Sequence, residues 1–425
     1  MKAGLALAAH DTVIRRIVLA TAFSAAAEGI FLGALPLAVA ARGGGPLEVG
    51  LAAAALTIWY AASVPLGAAV DRLGVGRSLR ILAPLRIPAL LIIAAGETMA
   101  GHDGLALIFV GALIYGLFST LTDTATSALP ALIISQDHYD EVFPVLSAVG
   151  QGLSLIAGPS VGALLLVTSH WLPFAVSGAA LAGAYAATTP FFVDQRTQRS
   201  DPDSEVPGWL GRTLAGLRHI FSDTFLRAIA LTLIGIAISE ELIQVTIAPY
   251  VRAGSGTGEW PQLLGYARSA AGLTSILAAL LAGNLARRFT RTKVLAAAAT
   301  AGALSPAVLA IAPRWALVLL ALIISAVAEA IWVPLMQTEM ARRTPGHLMA
   351  RTRSALMFLA WGALPVASIA GGTLAQVIGI RPILLAASLA ALTSCAFGIW
   401  RLYGKPEEPA PTPPDQAETP AAPAH

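Results

Sequence analysis

The chain has 425 residues, of which 56% are hydrophobic and 12% charged, and its mean hydropathy is +0.73. A soluble chain carries roughly 25% charged residues, so a water-soluble globular fold is excluded. The net charge of +3 and pI near 9.2 do not point to nucleic acid, because the basic residues sit in short loops between apolar runs, where they report topology.

The apolar runs are about 20 residues long, enough to cross a bilayer as helix. Hydrocarbon offers backbone groups no partner, so only helices or a closed barrel can span it. Barrel strands alternate apolar and polar over segments of about ten residues, and these runs do not. We predict an all-α membrane protein with twelve spans, at about 15–40, 47–70, 79–98, 104–128, 143–168, 172–193, 227–250, 262–286, 293–312, 315–340, 354–377 and 382–402. They divide into an N-terminal six-helix bundle (1–193), a linker (194–226), a C-terminal six-helix bundle (227–404) and a disordered tail (405–425).

Lys2 and Arg15-Arg16 precede the first apolar run, which is too long for the core of a signal peptide. That first span carries Glu28, and the second carries Trp59 and Tyr60. Between the second and third spans runs Gly67-Ala-Ala-Val-Asp71-Arg72-Leu-Gly74-Val-Gly-Arg77. Asp71 there lies at a helix end, where it can pair with a basic residue or cap a neighbouring helix. The third span holds Arg86 between Pro84 and Pro88, and the fourth holds Tyr115, Phe118 and Asp123. In the fifth, Gly150, Ser154, Gly158 and Gly162 form a small-residue stripe at four-residue spacing, which permits close helix packing, and Pro159 kinks it.

The linker begins polar and punctuated by proline. It continues with Trp209, Leu210, Leu214, Leu217, Ile220 and Phe221 at helical spacing, an amphipathic helix suited to lie on a membrane surface. The seventh span carries Glu240 and Glu241, which point about 100° apart, so only one of them is expected to face a shared cavity. The eighth carries Arg268 and ends in a degenerate copy of the earlier loop, Gly283-Asn-Leu-Ala-Arg287-Arg288-Phe-Thr290-Arg291-Thr-Lys293, with Arg287 in place of Asp71. The tenth carries Glu329, Trp332 and, near its end, Glu339, expected in a loop salt bridge. The eleventh repeats the small-residue theme at Gly362, Pro365, Gly371 and Gly372. The single cysteine, Cys395, lies in the last span and excludes an intramolecular disulfide.

Counting basic residues by loop places both termini on the cytoplasmic side. The opposite loops hold only Arg42, Arg252, Arg314 and Arg381. The acidic stretch Ser135–Glu141 dissents, but acids weigh little in this rule. Scarce lysine amid abundant Ala, Arg, Gly and Pro suggests a GC-rich bacterial genome, hence a bacterial inner membrane.

An ionisable residue inside a span costs several kcal/mol and is a functional candidate by default. Glu28 and Glu240 fall at similar depth in the first and seventh spans, as roughly do Asp123 and Glu329 in the fourth and tenth. Corresponding acids on repeated helices suggest a shared central cavity. A carboxyl group there can bind and release a proton or attract a cation; the alternative is permanent pairing with an arginine such as Arg86. Trp59, Tyr60, Tyr115, Phe118 and Trp332 offer stacking surfaces, or simply pack. No Walker loop, no Gly-x-Ser-x-Gly, no His-Glu-x-x-His and no metal-ligand spacing of histidines occurs, so no enzyme activity, cofactor or metal is expected.

These residues resemble the Major Facilitator Superfamily over nearly the whole chain. The Gly67–Arg77 loop looks like its signature between helices two and three, with Val75 and Gly76 where basic residues are usual. Gly158-Pro159-Ser-Val-Gly162 looks like the fifth-helix motif of its twelve-helix drug/proton antiporters, with Ala163 replacing the second glycine. Ala22–Gly29, Ser127–Pro130 and Leu214–Phe221 are similar to stretches in Tap-like multidrug pumps and in macrolide and siderophore exporters, and Glu28 falls where Tap-like pumps carry an acid. The fourth-helix arginine motif of many antiporters is replaced by Thr124, Ala125 and Thr126, which shifts weight to Glu28 and the seventh helix. The resemblance implies proton-coupled efflux of amphipathic small molecules by a monomer, with substrate, protons and lipid as its partners. Export of one endogenous product, uptake by symport and a non-transporting membrane sensor remain the alternatives.

Overall fold

The computed structural model describes residues 11–133, 142, 145–146, 148–150, 152–189, 217–255, 258–344, 352, 355–356 and 358–403. Every regular element among them is helical. The first span is α1 (Thr12–Ala41), capped by Asp11, whose Oδ1 accepts from the Val13 amide at 2.7 Å. The second is α2 (Pro46–Thr57), a 3₁₀ turn (Ile58–Ala62) and α3 (Ser63–Leu73). The third is α4 (Val75–Leu82), a 3₁₀ turn (Ala83–Leu85) and α5 (Arg86–Thr98). Then come α6 (Gly101–Ile133), a π turn (Gly152–Ala157) leading into α7 (Gly158–Thr168), and α8 (Leu172–Thr188). The second half comprises α9 (Thr224–Ser255), α10 (Trp260–Arg288), α11 (Arg291–Ile311), α12 (Trp315–Arg343), α13 (Leu364–Ile378) and α14 (Ile380–Tyr403).

Nine helical units among the described residues are long and apolar enough to cross a membrane, beside the shorter apolar helices Pro46–Ala62 and Leu172–Thr188. With α10, long enough at 29 residues, they fill the twelve expected places. The second and third spans are not the continuous helices the sequence suggests. Pro65, Pro84 and Pro88 each lack an amide proton and crowd the carbonyl one turn back, so the chain tightens into 3₁₀ turns nearby. In the fifth span the expected kink takes the form of a π turn just before Pro159. Gly74, at φ 81°, makes the sharp break between α3 and α4 that a side chain would oppose. Most of the linker and all of the tail lie outside the described residues, as do Trp209, Leu210, Leu214 and the acidic Ser135–Glu141 stretch.

The halves repeat each other. In the first, α1 packs on α8 and α7, α5 on α6 and α8, and α2 and α3 on α6. In the second, the counterparts pair alike: α9 on α14 and α13, α11 on α12 and α14, and α10 on α12. Between the halves, α2 meets α13 and α7 meets α10, an exchange expected of a pseudo-two-fold axis.

One apolar core joins the halves at the face opposite the chain ends. It includes Phe31, Leu37, Ile93 and Leu166 from the first half and Ile243, Ile247, Leu264 and Val318 from the second. Toward the face bearing the chain ends, the cores are separate. Val70, Leu79, Leu121 and Ala125 cluster in the first half, and Ile229, Leu295, Met336 and Cys395 in the second. Among the described residues, the bundles therefore share one core at one face and keep separate cores at the other.

Glycine sets the spacing of α1 and α7 within the first half. A Cβ on Gly158 would lie 2.5 Å from the Gly29 Cα, and one on Gly162 2.5 Å from the Ile30 carbonyl oxygen. Gly158→Val is therefore expected to destabilise the α1–α7 contact by about 1–3 kcal/mol through overpacking. Size-exclusion chromatography in detergent checks this as a loss of the monodisperse peak.

Candidate functional site

At mid-depth in the first half, α6 presents Tyr115, Ser119 and Asp123 along one face, four residues apart. Arg86, the first residue of α5, reaches them and is only 4% exposed. Its Nη2 donates to the Tyr115 hydroxyl at 2.7 Å, and its Nη1 lies 4.0 Å from Asp123 Oδ1. The guanidinium carbon sits 5.0 Å from the Tyr115 ring centre, a cation–π contact. Ser119 Oγ donates to the other Asp123 oxygen at 3.2 Å. Phe31 braces Tyr115 from α1, with ring centres 4.3 Å apart.

Glu28 projects from α1 into the same field: the Asp123 carboxylate repels its charge and Arg86 attracts it. Tyr60, from the turn after α2, feels the fields of Asp123, Glu28 and Arg86. Its ring also meets Trp361 of the other half at 5.4 Å between centres. The Asp123 side chain is 52% exposed although it sits within a span.

In the second half, α9 turns its two acids toward different helices. Ser325 of α12 donates to Glu240 Oε1, and Ser368 of α13 donates to Glu241 Oε1. Glu329, one turn beyond Ser325, repels the charge on Glu240 and is itself exposed. Arg268 of α10 donates to Gln244 of α9 at 2.7 Å and has no carboxylate partner among the described residues.

The remaining candidates disperse. Trp59 Nε1 donates to the Leu113 carbonyl at 2.8 Å. Phe118 packs against the Val70–Leu79–Leu121 cluster, and Trp332 is 5% exposed inside the core of the second half. Gly67 lies in α3 and Arg77 in the first turn of α4, but the side chains of Asp71, Arg72 and Arg287 are outside the described ones. Arg291 pairs with Glu339 at 3.1 Å, joining α11 to α12 as expected for Glu339.

Two features escaped sequence reasoning. Glu97, in the last turn of α5, has a side chain with no exposure, held 3.6 Å from Arg42 and 3.5 Å from His170. The signal was an acid at the end of a span, on the same side as the Arg42 loop. Arg252, near the end of α9, donates to the carbonyls of Ala40 and Gly44 in the other half and so clamps the closed face. Only its place among the few basic residues of that face hinted at this.

Two repeated helical bundles, sharing a core at one face and carrying charged groups within their apolar spans, define a multi-pass membrane transport protein. The Major Facilitator Superfamily pattern matches residues 17–264 and 257–424, and the chain belongs to that superfamily. The multidrug efflux pump Tap of Mycolicibacterium fortuitum is 25% identical over 397 residues, covering 88% of this chain and 92% of Tap. Among solved structures, the nucleoside transporter NupG is 12% identical with a TM-score of 0.70, over 92% of this chain and 99% of NupG. A bacterial homologue of the human lysosomal transporter Spinster, in an inward-facing and unoccupied conformation, is 12% identical with a TM-score of 0.67, over 92% of this chain and 96% of that one. These two likenesses concern the fold.

Proposed function

We propose that the protein exports amphipathic, cationic small molecules across a bacterial inner membrane in exchange for protons. The observation that carries this reading is the Arg86 guanidinium 4.0 Å from the Asp123 carboxylate, with Glu28 of α1 in their electrostatic field. Arg86 balances a single negative charge, and Glu28 and Asp123 supply two when both are ionised. Within a span the surplus favours uptake of either a proton or a substrate cation. Both cannot be held at once, so occupancy by one excludes the other, which is the elementary requirement of antiport. Tap, a multidrug efflux pump by name, supports the direction and the breadth of substrate.

The bundles 1–193 and 227–404 are the bodies that rock against each other. With both termini cytoplasmic, the parted face opens inward and the Arg252 clamp closes the outside. Glu240, with Glu329 beside it, extends the acidic lining, and Arg268 offers a positive group to a polar end of the substrate. The protein acts as a monomer.

The test is substrate-driven proton movement in proteoliposomes under an imposed pH gradient, using basic drugs, macrolides, tetracyclines and a siderophore. Proton flux that starts on adding substrate and runs opposite to it is the expected result. Silence with every compound, from folded protein, overturns multidrug antiport.

Removing the clamp should shift the facing equilibrium. Charge-assisted hydrogen bonds contribute about 1.5–3 kcal/mol, so Arg252→Ala is expected to raise the outward-open population about tenfold. A cysteine placed by Leu264→Cys, in the closed core, with Cys395→Ser removing the native thiol, reports this as faster labelling by an impermeant maleimide.

A further inference from the structure

The face opposite the chain ends carries a cleft of about 630 Å³ where the two halves meet. The first half contributes the Gly43–Pro46 turn, and the second contributes the end of α9, the end of α13 and the start of α14. Two guanidiniums line it, those of Arg252 and Arg381, and neither has a carboxylate partner among the described residues. This contrasts with Arg42 on the same face, which Glu97 neutralises. Among the described residues, Arg252 spends one nitrogen, Nη1, on backbone carbonyls, and Arg381 spends Nε on the Tyr250 hydroxyl at 3.2 Å. Several N–H groups on both side chains are left to bind something else.

The rest of the lining is largely apolar, including Pro46, Ala375, Ile380 and Pro382. Arg252 is three residues from the end of α9 and Arg381 is the second residue of α14, so the cleft sits at the depth where a span leaves the membrane. Few basic residues occur on this face, yet two of them share one cleft.

We propose that this cleft is a binding site for a phosphate group, gripped by Arg252 and Arg381. Guanidinium donors match phosphate oxygens in a planar, two-pronged geometry. The apolar walls suit the glycerol and upper acyl carbons of a phospholipid; free inorganic phosphate would use the same two arginines. Because the lining comes from both halves, the site exists in this form only while this face is closed. Occupancy therefore favours the closed-outside state by its differential affinity.

The test uses the purified full chain in detergent, with native mass spectrometry for retained phosphatidylglycerol and thermal unfolding with added phosphatidylglycerol or sodium phosphate at matched ionic strength. Arg381→Gln is expected to weaken binding about tenfold, the scale of a lost charge-assisted hydrogen bond. Tyr250→Phe, which removes a neutral partner and leaves both guanidiniums, should still bind. Arg381→Lys keeps the charge and should retain measurable binding, which separates loss of the site from loss of fold. Protection of wild type by phosphatidylglycerol alone, lost in Arg381→Gln, supports the site with lipid as its source. Protection by sodium phosphate, lost in the same variant, supports it with the free anion. Equal response of wild type and Arg381→Gln to both probes overturns the proposal.

Discussion

Proteoliposomes bearing Asp123→Asn or Glu28→Gln are expected to lose substrate-driven proton movement, down to the level of empty liposomes. Each change removes one of the two carboxylates in the field of Arg86. The remaining carboxylate then pairs with Arg86 permanently, and the surplus charge that alternates between proton and substrate is gone. The two variants differ in a useful way. Asp123 is the more accessible group, with its side chain 52% exposed and 4.0 Å from Arg86 Nη1. Its loss should also weaken binding of a cationic substrate about tenfold, as expected for one charge-assisted contact. Fluorescence-quenching titrations with a basic drug measure that directly. Full coupled flux in both variants would refute the assignment of this cluster and move the proton to Glu240 and Glu329 of the other half.

The second large effect concerns stability. Arg42→Ala leaves the Glu97 carboxyl, which has no side-chain exposure, without its guanidinium. His170 remains 3.5 Å away but is 52% exposed, and offers a weaker substitute. Breaking a buried pair from one side costs about 3–5 kcal/mol, because an uncompensated charge stays behind. Arg42 also donates to the Glu97 and Met99 carbonyls, so it closes the free end of α5 as well. The expected result is a marked fall in the thermal unfolding midpoint in detergent. Combining Arg42→Ala with Glu97→Gln should recover part of the loss, since the stranded charge is removed; strict additivity of the two changes would show that the residues do not interact.

Much of the fold was legible in the chain. Hydrocarbon forces helix on any long apolar run, so the spans followed from composition and length. The repeat followed from the Gly67 and Gly283 loops and from acids recurring on α1 and α9. The breaks within the second and third spans were less legible. Pro65, Pro84 and Pro88 mark them, but whether a proline kinks a helix or resets it as a 3₁₀ turn depends on the neighbours that satisfy the freed carbonyls.

The charged candidates show the same division. That Glu28, Asp123 and Arg86 matter is visible from their cost inside a span. That Arg86 reaches Tyr115 and Asp123, while Glu240 and Glu241 take serines on two different helices, is not visible. Residue spacing fixes the direction of a side chain around its own helix, and says nothing about which helix stands opposite. The aromatic residues illustrate the limit: Tyr115 joins the charged cluster, Tyr60 meets Trp361 of the other half, and Trp332 is core. All are aromatic residues within apolar spans, and only the neighbouring helices distinguish them.

By itself, then, the sequence determined that the chain lives in a membrane, that its segments are helices, that it is duplicated, and which few charges it tolerates there. These follow from local physics: backbone hydrogen bonding in hydrocarbon and the penalty on each buried ion. Tertiary structure alone decided that α2 meets α13 and α7 meets α10, that Arg252 joins the halves at one face, and that Arg86 meets Tyr115 and Asp123. Those are contacts between distant segments, set by shape and charge complementarity once the helices exist, and no local rule along the chain contains them.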